Sequence, residues 1–180
     1  MPFSYYSSIL RIKMESKKSI IVLGKSGVGK TCLITRYCKN DFKECKPTDK
    51  VEQLTKTNGK CIIHDTPGGY IINPDYLSKE KIEYALLMYD ITNRDSFDAI
   101  VNYARDIKTI SIYKRIIVGN KCDVDAAERK VTYEEGFELA QSLGYAFSEA
   151  SAKENIEASS AFEYLTRDVN PQIQVILFDL

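Results

Sequence analysis

An imbalance of charge is the first thing missing from these 180 residues: 25 Lys and Arg face 25 Asp and Glu, and the formal net charge is zero. Such a balance leaves no basic stripe for nucleic acid or an acidic membrane surface. Long apolar runs are missing as well, since none approaches the roughly 18 residues of a membrane span. Met1 to Lys18 places its Lys and Arg late and lacks a continuous apolar stretch, so it does not read as a secretion signal. No C-x-x-C pair occurs, and the five cysteines (Cys32, Cys38, Cys45, Cys61, Cys122) are odd in number. A disulfide framework and a zinc site are both excluded on that pattern, and reduced thiols are expected. There is no internal repeat, low-complexity segment or linker. The expected organisation is one domain over residues 19–168, preceded by an N-terminal extension (1–18) and followed by a tail (169–180).

What is present alternates between two patterns. Ser19 to Leu23 is a short β-branched run of the kind buried on both faces of a parallel sheet. A glycine-rich turn follows, then a helix over Thr31 to Lys39. Val51 to Thr57 and Lys60 to His64 predict a hairpin closed by Asn58-Gly59. Ala85 to Tyr89 and Arg115 to Val118 are further buried-type strands, with a helix between them over Ser96 to Ile110. Thr132 and Glu135 form a capping box opening a helix that runs to Leu143, where Gly144 stops it. Tyr145 to Ser148 is the last strand and Ile156 to Asp168 the last helix. The fold class is therefore α/β: a mostly parallel six-stranded sheet with one antiparallel hairpin edge and helices on both faces. Ligands of such sheets bind beyond the carboxyl ends of the strands.

Four motifs fall at those ends. Gly24-Lys25-Ser26-Gly27-Val28-Gly29-Lys30-Thr31 matches G-x-x-x-x-G-K-[ST]. Its glycines let successive N–H groups face phosphate oxygens, Lys30 would reach the β- and γ-phosphates, and the Thr31 hydroxyl would bind Mg²⁺. Asp65-Thr66-Pro67-Gly68 follows the second hairpin strand. Its acid is placed to hold a water on the metal, and the Gly68 N–H to approach the γ-phosphate. Asn120-Lys121-Cys122-Asp123 follows the next strand, and the Asp123 carboxylate can accept two hydrogen bonds from guanine that adenine cannot offer. Ser151-Ala152-Lys153 follows the last strand, where its amides could face the guanine O6. Read singly, the last three are also ordinary turn sequences.

Together, in this order and spacing, the four resemble the Ras superfamily of small GTPases over roughly Ser19 to Asp168. The resemblance implies a domain that binds GTP and GDP with Mg²⁺ and switches between two states as two loops close on the γ-phosphate. It implies nucleotide contacts from Gly24, Ser26, Gly27, Val28, Gly29, Lys30, Thr31 and Cys32, with Phe42 packing near the guanine and Lys121 lying along it. Asn120, Asp123, Ser151, Ala152 and Lys153 complete the base site. Thr31, Thr48 and Asp65 are the implied metal ligands, and Lys30 and Gly68 the catalytic groups. Ser26 to Leu33 and Tyr89 to Phe97 are most similar to Rab proteins, then Ras. Effectors, exchange factors and activating proteins are the implied partners, on a monomer.

Three departures from the family pattern carry expectations of their own. Gly69 stands where Ras and Rab proteins usually have a glutamine that orients the attacking water, so slow hydrolysis is expected. A GTP-loaded scaffold without useful hydrolysis is the rival reading, and a P-loop kinase of small molecules a third that Asn120 to Asp123 argues against. His64, the one histidine, is read as structural from the alternation along its strand. The stretch from Phe42 to Asp65 is several residues shorter than usual, which shortens the reach of Thr48. No cysteine follows Cys122, so no prenyl anchor is expected on this sequence as written, and three readings stay open: a cytoplasmic protein, one held at membranes through a partner, or an incomplete tail.

Overall fold

The β-branched runs become the inside of a sheet because both of its faces are covered. In the computed structural model, which describes residues 17–43, 45–56 and 61–167, the chain forms β1 (Lys18–Leu23), α1 (Lys30–Lys39), β2 (Glu52–Thr55), β3 (Cys61–Asp65) and α2 (Pro74–Lys79). It continues with β4 (Tyr84–Asp90), α3 (Arg94–Asp98), α4 (Ile100–Asp106), β5 (Lys114–Asn120), α5 (Tyr133–Leu143), β6 (Ala146–Ala150) and α6 (Ser160–Thr166). The expected Asn58-Gly59 turn, the extension before Lys17 and the tail after Arg167 lie outside the described residues.

The six strands form one sheet in the order β2-β3-β1-β4-β5-β6. All neighbours are parallel except the β2–β3 pair, where Leu54 faces Ile63. Period-two alternation sorts β1 between two cores. Ile20 and Val22 join Leu33, Ile34 and Tyr37 of α1 and Phe162 of α6, while Ile21 and Leu23 join Phe97, Tyr103 and Ala140 of the helices on the other face. Because five strands run the same way, the loops after β1, β3, β5 and β6 emerge along one edge.

Several helix and strand limits differ from expectation for local reasons. The helix expected over 96–110 starts earlier, where Asn93 Oδ1 caps the Ser96 amide at 3.2 Å, and it divides at Ala99 into α3 and α4. Residues 107–110 turn instead of continuing it. The last helix begins at Ser160, not Ile156, because Ser151 and Ile156 exchange two backbone hydrogen bonds of 2.9 and 3.0 Å that fold the intervening residues into a tight loop. The last strand occupies Ala146–Ala150, shifted forward from Tyr145–Ser148. Helix α2 was not expected at all, although Asn73 accepts from the Asp75 and Tyr76 amides and Pro74 occupies the first turn, a start signal visible in the residues themselves. The capping box on α5 forms as expected, with Gly144 in the left-handed region at φ 70°.

Candidate functional site

Beyond β1 the chain wraps around its own lysine. Lys30 Nζ, 6% exposed, donates to the Gly24 and Lys25 carbonyls at 2.9 and 3.0 Å. The loop therefore circles a largely buried ammonium, and that burial lowers the Lys30 pKa against the opposing pull of Asp65. A buried cation with only carbonyl partners is poised for an anion such as a phosphate. The cleft beside it, about 160 Å³, is lined by Ser26, Gly27, Gly29, Lys30 and Thr31 on one wall and by residues 45–48, Thr66 and Gly68 on the other.

Asp65 ends β3 fully buried, next to Thr31 and Thr48 of the cleft lining. Its Oδ2 accepts from the Thr31 hydroxyl at 2.6 Å and from Thr48 at 3.3 Å, and the two hydroxyl oxygens are 2.9 Å apart. The shortened loop thus does carry Thr48 to the other two expected metal ligands. Asp65 Oδ1 is buried with no hydrogen-bond partner. Burial raises the Asp65 pKa, and the hydrogen bond from Thr31, the Lys30 charge and the bond from Thr48 pull it back. An orphaned carboxylate oxygen beside two hydroxyls fits a divalent cation. Among the described residues no group of three His, Cys, Asp or Glu gathers around a common point. One carboxylate plus hydroxyls suits Mg²⁺, which keeps waters and takes its remaining ligands from phosphate, better than a metal needing an all-protein cage.

Gly68 lies against the phosphate-loop backbone: a Cβ there would come within 2.3 Å of the Ser26 nitrogen. Gly69 differs, having open space where a Cβ would be but a left-handed φ of 75°. Its amide donates to the Gly24 carbonyl at 3.4 Å. Thr66 anchors the segment by donating to the Val22 carbonyl at 2.6 Å.

Asn120 ties the remaining loops together. Its Nδ2 donates to the Val28 carbonyl at 2.8 Å and its Oδ1 accepts from the Ala152 amide at 3.4 Å. Gly29 permits this approach, since a Cβ there would lie 2.4 Å from Asn120 Nδ2. Lys121 adopts φ 68° and pairs with Asp90 at 2.5 Å. Asp123, its side chain 12% exposed, faces Lys153 at 3.8 Å. Ser151 accepts from the Glu154 amide at 2.9 Å, which shapes the loop. Phe42 packs at the margin of the α1 core with the Arg36 guanidinium 5.8 Å from its ring centre. Cys32, half-buried, directs its thiol to the Lys43 carbonyl at 3.6 Å.

Sequence reading missed Arg36. From α1 it donates to the Ala152 carbonyl at 2.9 Å and the Lys153 carbonyl at 3.0 Å, clamping the last loop to the same helix that starts at Lys30. Its partners are more than a hundred positions away, so no local pattern announces it. His64 is fully buried and stands outside the cleft, bonded to Ser19 Oγ at 2.9 Å and to the Tyr76 hydroxyl at 2.7 Å. Burial lowers its pKa, and its two ring nitrogens pin α2 to the sheet, which is a structural role.

The sequence matches the model of the Ras family over residues 19–171. It is 39% identical over 160 residues to the human Ras-related protein Rab-3B, covering 81% of this chain and 71% of that protein. Similarity to the human Ras-related protein Rab-3A is 39%, covering 81% and 70%. To the Caenorhabditis elegans Ras-related protein Rab-3 it is 37%, covering 81% and 71%.

Proposed function

Because the chain belongs to the Ras family, and is by that membership a small GTPase of the kind that switches in signalling or vesicle traffic, we propose how its own residues run that switch. The domain over 19–168 holds GTP or GDP with Mg²⁺, reads guanine through Asp123, and hydrolyses GTP slowly. The observation that carries this reading is the meeting of Thr31, Thr48 and Asp65 within 3.3 Å of one another beside Lys30.

Ras-family GTPases bind their nucleotide with Mg²⁺, which supplies charge neutralisation on the phosphates. Thr31, Thr48 and the free oxygen of Asp65 would hold it. Lys30 and the loop amides from Ser26 to Cys32 bind the phosphate oxygens and meet the charge that develops as the γ-phosphoryl group leaves. The Gly68 amide positions that group, and Asn120 holds the phosphate and base loops in register. Thr48 belongs to the first switch loop and Gly68 to the second, so loss of the γ-phosphate releases both. Gly69 offers no side chain to orient water, which is the basis for slow turnover and for a state that stays GTP-loaded. Regulators and effectors of the classes that serve this family are the expected partners.

Single-turnover GTP hydrolysis with Mg²⁺, beside binding of GTP and GDP, tests the reading. Tight binding of both nucleotides with slow release of phosphate is expected. Gly69→Gln has room for its side chain, against a modest cost for the left-handed backbone, and should speed single-turnover hydrolysis by about tenfold or more. Fast hydrolysis by the unaltered chain, unchanged in the variant, would mean that another group orients the water. No phosphate release by either protein would favour the GTP-loaded scaffold.

A further inference from the structure

Two cysteines line the proposed phosphate cleft. Cys32 sits in the first turn of α1, next to Thr31, and Cys45 sits three residues before Thr48 on the loop that forms the opposite wall. Both line the cleft and both are half-buried, so a small reagent can reach them, whereas Cys38 and Cys61 are buried in the core. The two thiols converge on one acceptor, the Lys43 carbonyl, at 3.6 Å from Cys32 and 3.2 Å from Cys45. Helix α1 is fixed to the sheet by Leu33, Ile34 and Tyr37, while Cys45 lies outside the core on the loop that carries Thr48.

We propose that Cys32 and Cys45 are a dithiol modification site, which a small-molecule disulfide oxidises to an intramolecular bond that locks the first switch loop to α1. The inference that this bond controls nucleotide traffic rests on the nucleotide-binding reading above. In the first step the Cys32 thiolate attacks one sulfur of the small disulfide, a mixed disulfide forms on Cys32, and one small thiol leaves. The Cys45 thiolate then attacks the Cys32 sulfur, the Cys32–Cys45 bond forms, and the second small thiol leaves. The protein gives up two electrons and two protons, and the small disulfide becomes two thiols. Burial, then the adjoining Cys32 thiol, pushes the Cys45 thiol up to about 12, so its thiolate is favoured by alkaline pH. Once made, the bond encloses Phe42 and ends just short of Thr48, holding shut the side of the cleft that a leaving nucleotide has to pass.

The test uses the full chain, reduced, loaded with a fluorescent guanosine diphosphate and treated with glutathione disulfide at mildly alkaline pH. Peptide mapping without reductant should find Cys32 linked to Cys45. Nucleotide release should slow by about tenfold or more and recover with dithiothreitol, as expected when a cross-link closes a loop of this size. In Cys45→Ser, peptide mapping should find glutathione on Cys32 and no internal bond, and the slowing that the internal bond gives should be absent. Arrest of the unaltered chain at a mixed disulfide on Cys32 would overturn the proposal, as would a mapped bond that leaves release unchanged. A reduced chain that held no nucleotide would sink the preceding reading, and the peptide map would still decide this one.

Discussion

At the scale of single residues, the proposed function divides one motif between Asn120 and Asp123. Asn120 is 2% exposed and spends both ends of its amide on other loops, so its role is to hold them together. Asp123 makes a long 3.8 Å approach to Lys153, and the proposed function gives its carboxylate to the base. Asp123→Asn should lower GTP affinity by about a hundredfold and raise affinity for xanthosine triphosphate, since an amide matches the changed edge of that base. Competition binding of the two nucleotides reads both effects, and an unaltered preference would remove Asp123 from base recognition. These residues were legible because short spacings mark them. The orphaned oxygen of Asp65 was not, because it depends on how deeply β3 lies between β1 and β2.

At the scale of elements, α1 does more than begin with a phosphate loop. Arg36 in its second turn reaches two carbonyls of the Ser151–Lys153 loop and lies over Phe42. Charged hydrogen bonds to carbonyls that otherwise face solvent contribute modestly each, and two together fix the loop position. Arg36→Ala is therefore expected to quicken guanine-nucleotide release by about tenfold while leaving secondary structure intact, measured by fluorescent nucleotide dissociation beside circular dichroism. An unchanged rate would mean that Asn120 alone holds the loop. Elements ruled by their own residues were readable: the Thr132–Glu135 box and Gly144 bound α5 as expected. Elements ruled by distant contacts were not. The Ser151–Ile156 bridge delays α6, and Tyr76 docks on buried His64 to seat a six-residue helix whose pattern is too short for periodicity to reveal.

At the scale of the molecule, the sheet separates two cores, and the site rests on the one under α1 and α6. Tyr37 of α1 stacks on Phe162 of α6 with ring centres 4.4 Å apart and planes 16° from parallel. Phe162 is fully buried, so Phe162→Ala leaves a cavity beneath the helix that carries Lys30 and Thr31. It should cost about 3–5 kcal/mol of stability, seen as a lower urea midpoint without nucleotide. Excess GDP should restore part of the loss, because ligand binds only the folded state. A variant as stable as the parent would place the weight of the fold on the opposite core. The alternation of strands and helices made this two-sided design readable, but which helix covers which face depended on crossovers that only the folded chain displays. The missing Cβ of Gly29 also has a practical side. Phosphate loop and base loop touch there with no slack, so a laboratory lineage selected for a new base can explore Asp123 and Lys153 freely. It has to inherit Gly29 and Asn120 together, since a side chain at Gly29 would push the two loops apart and a shorter one at Asn120 would remove the hydrogen bonds that join them.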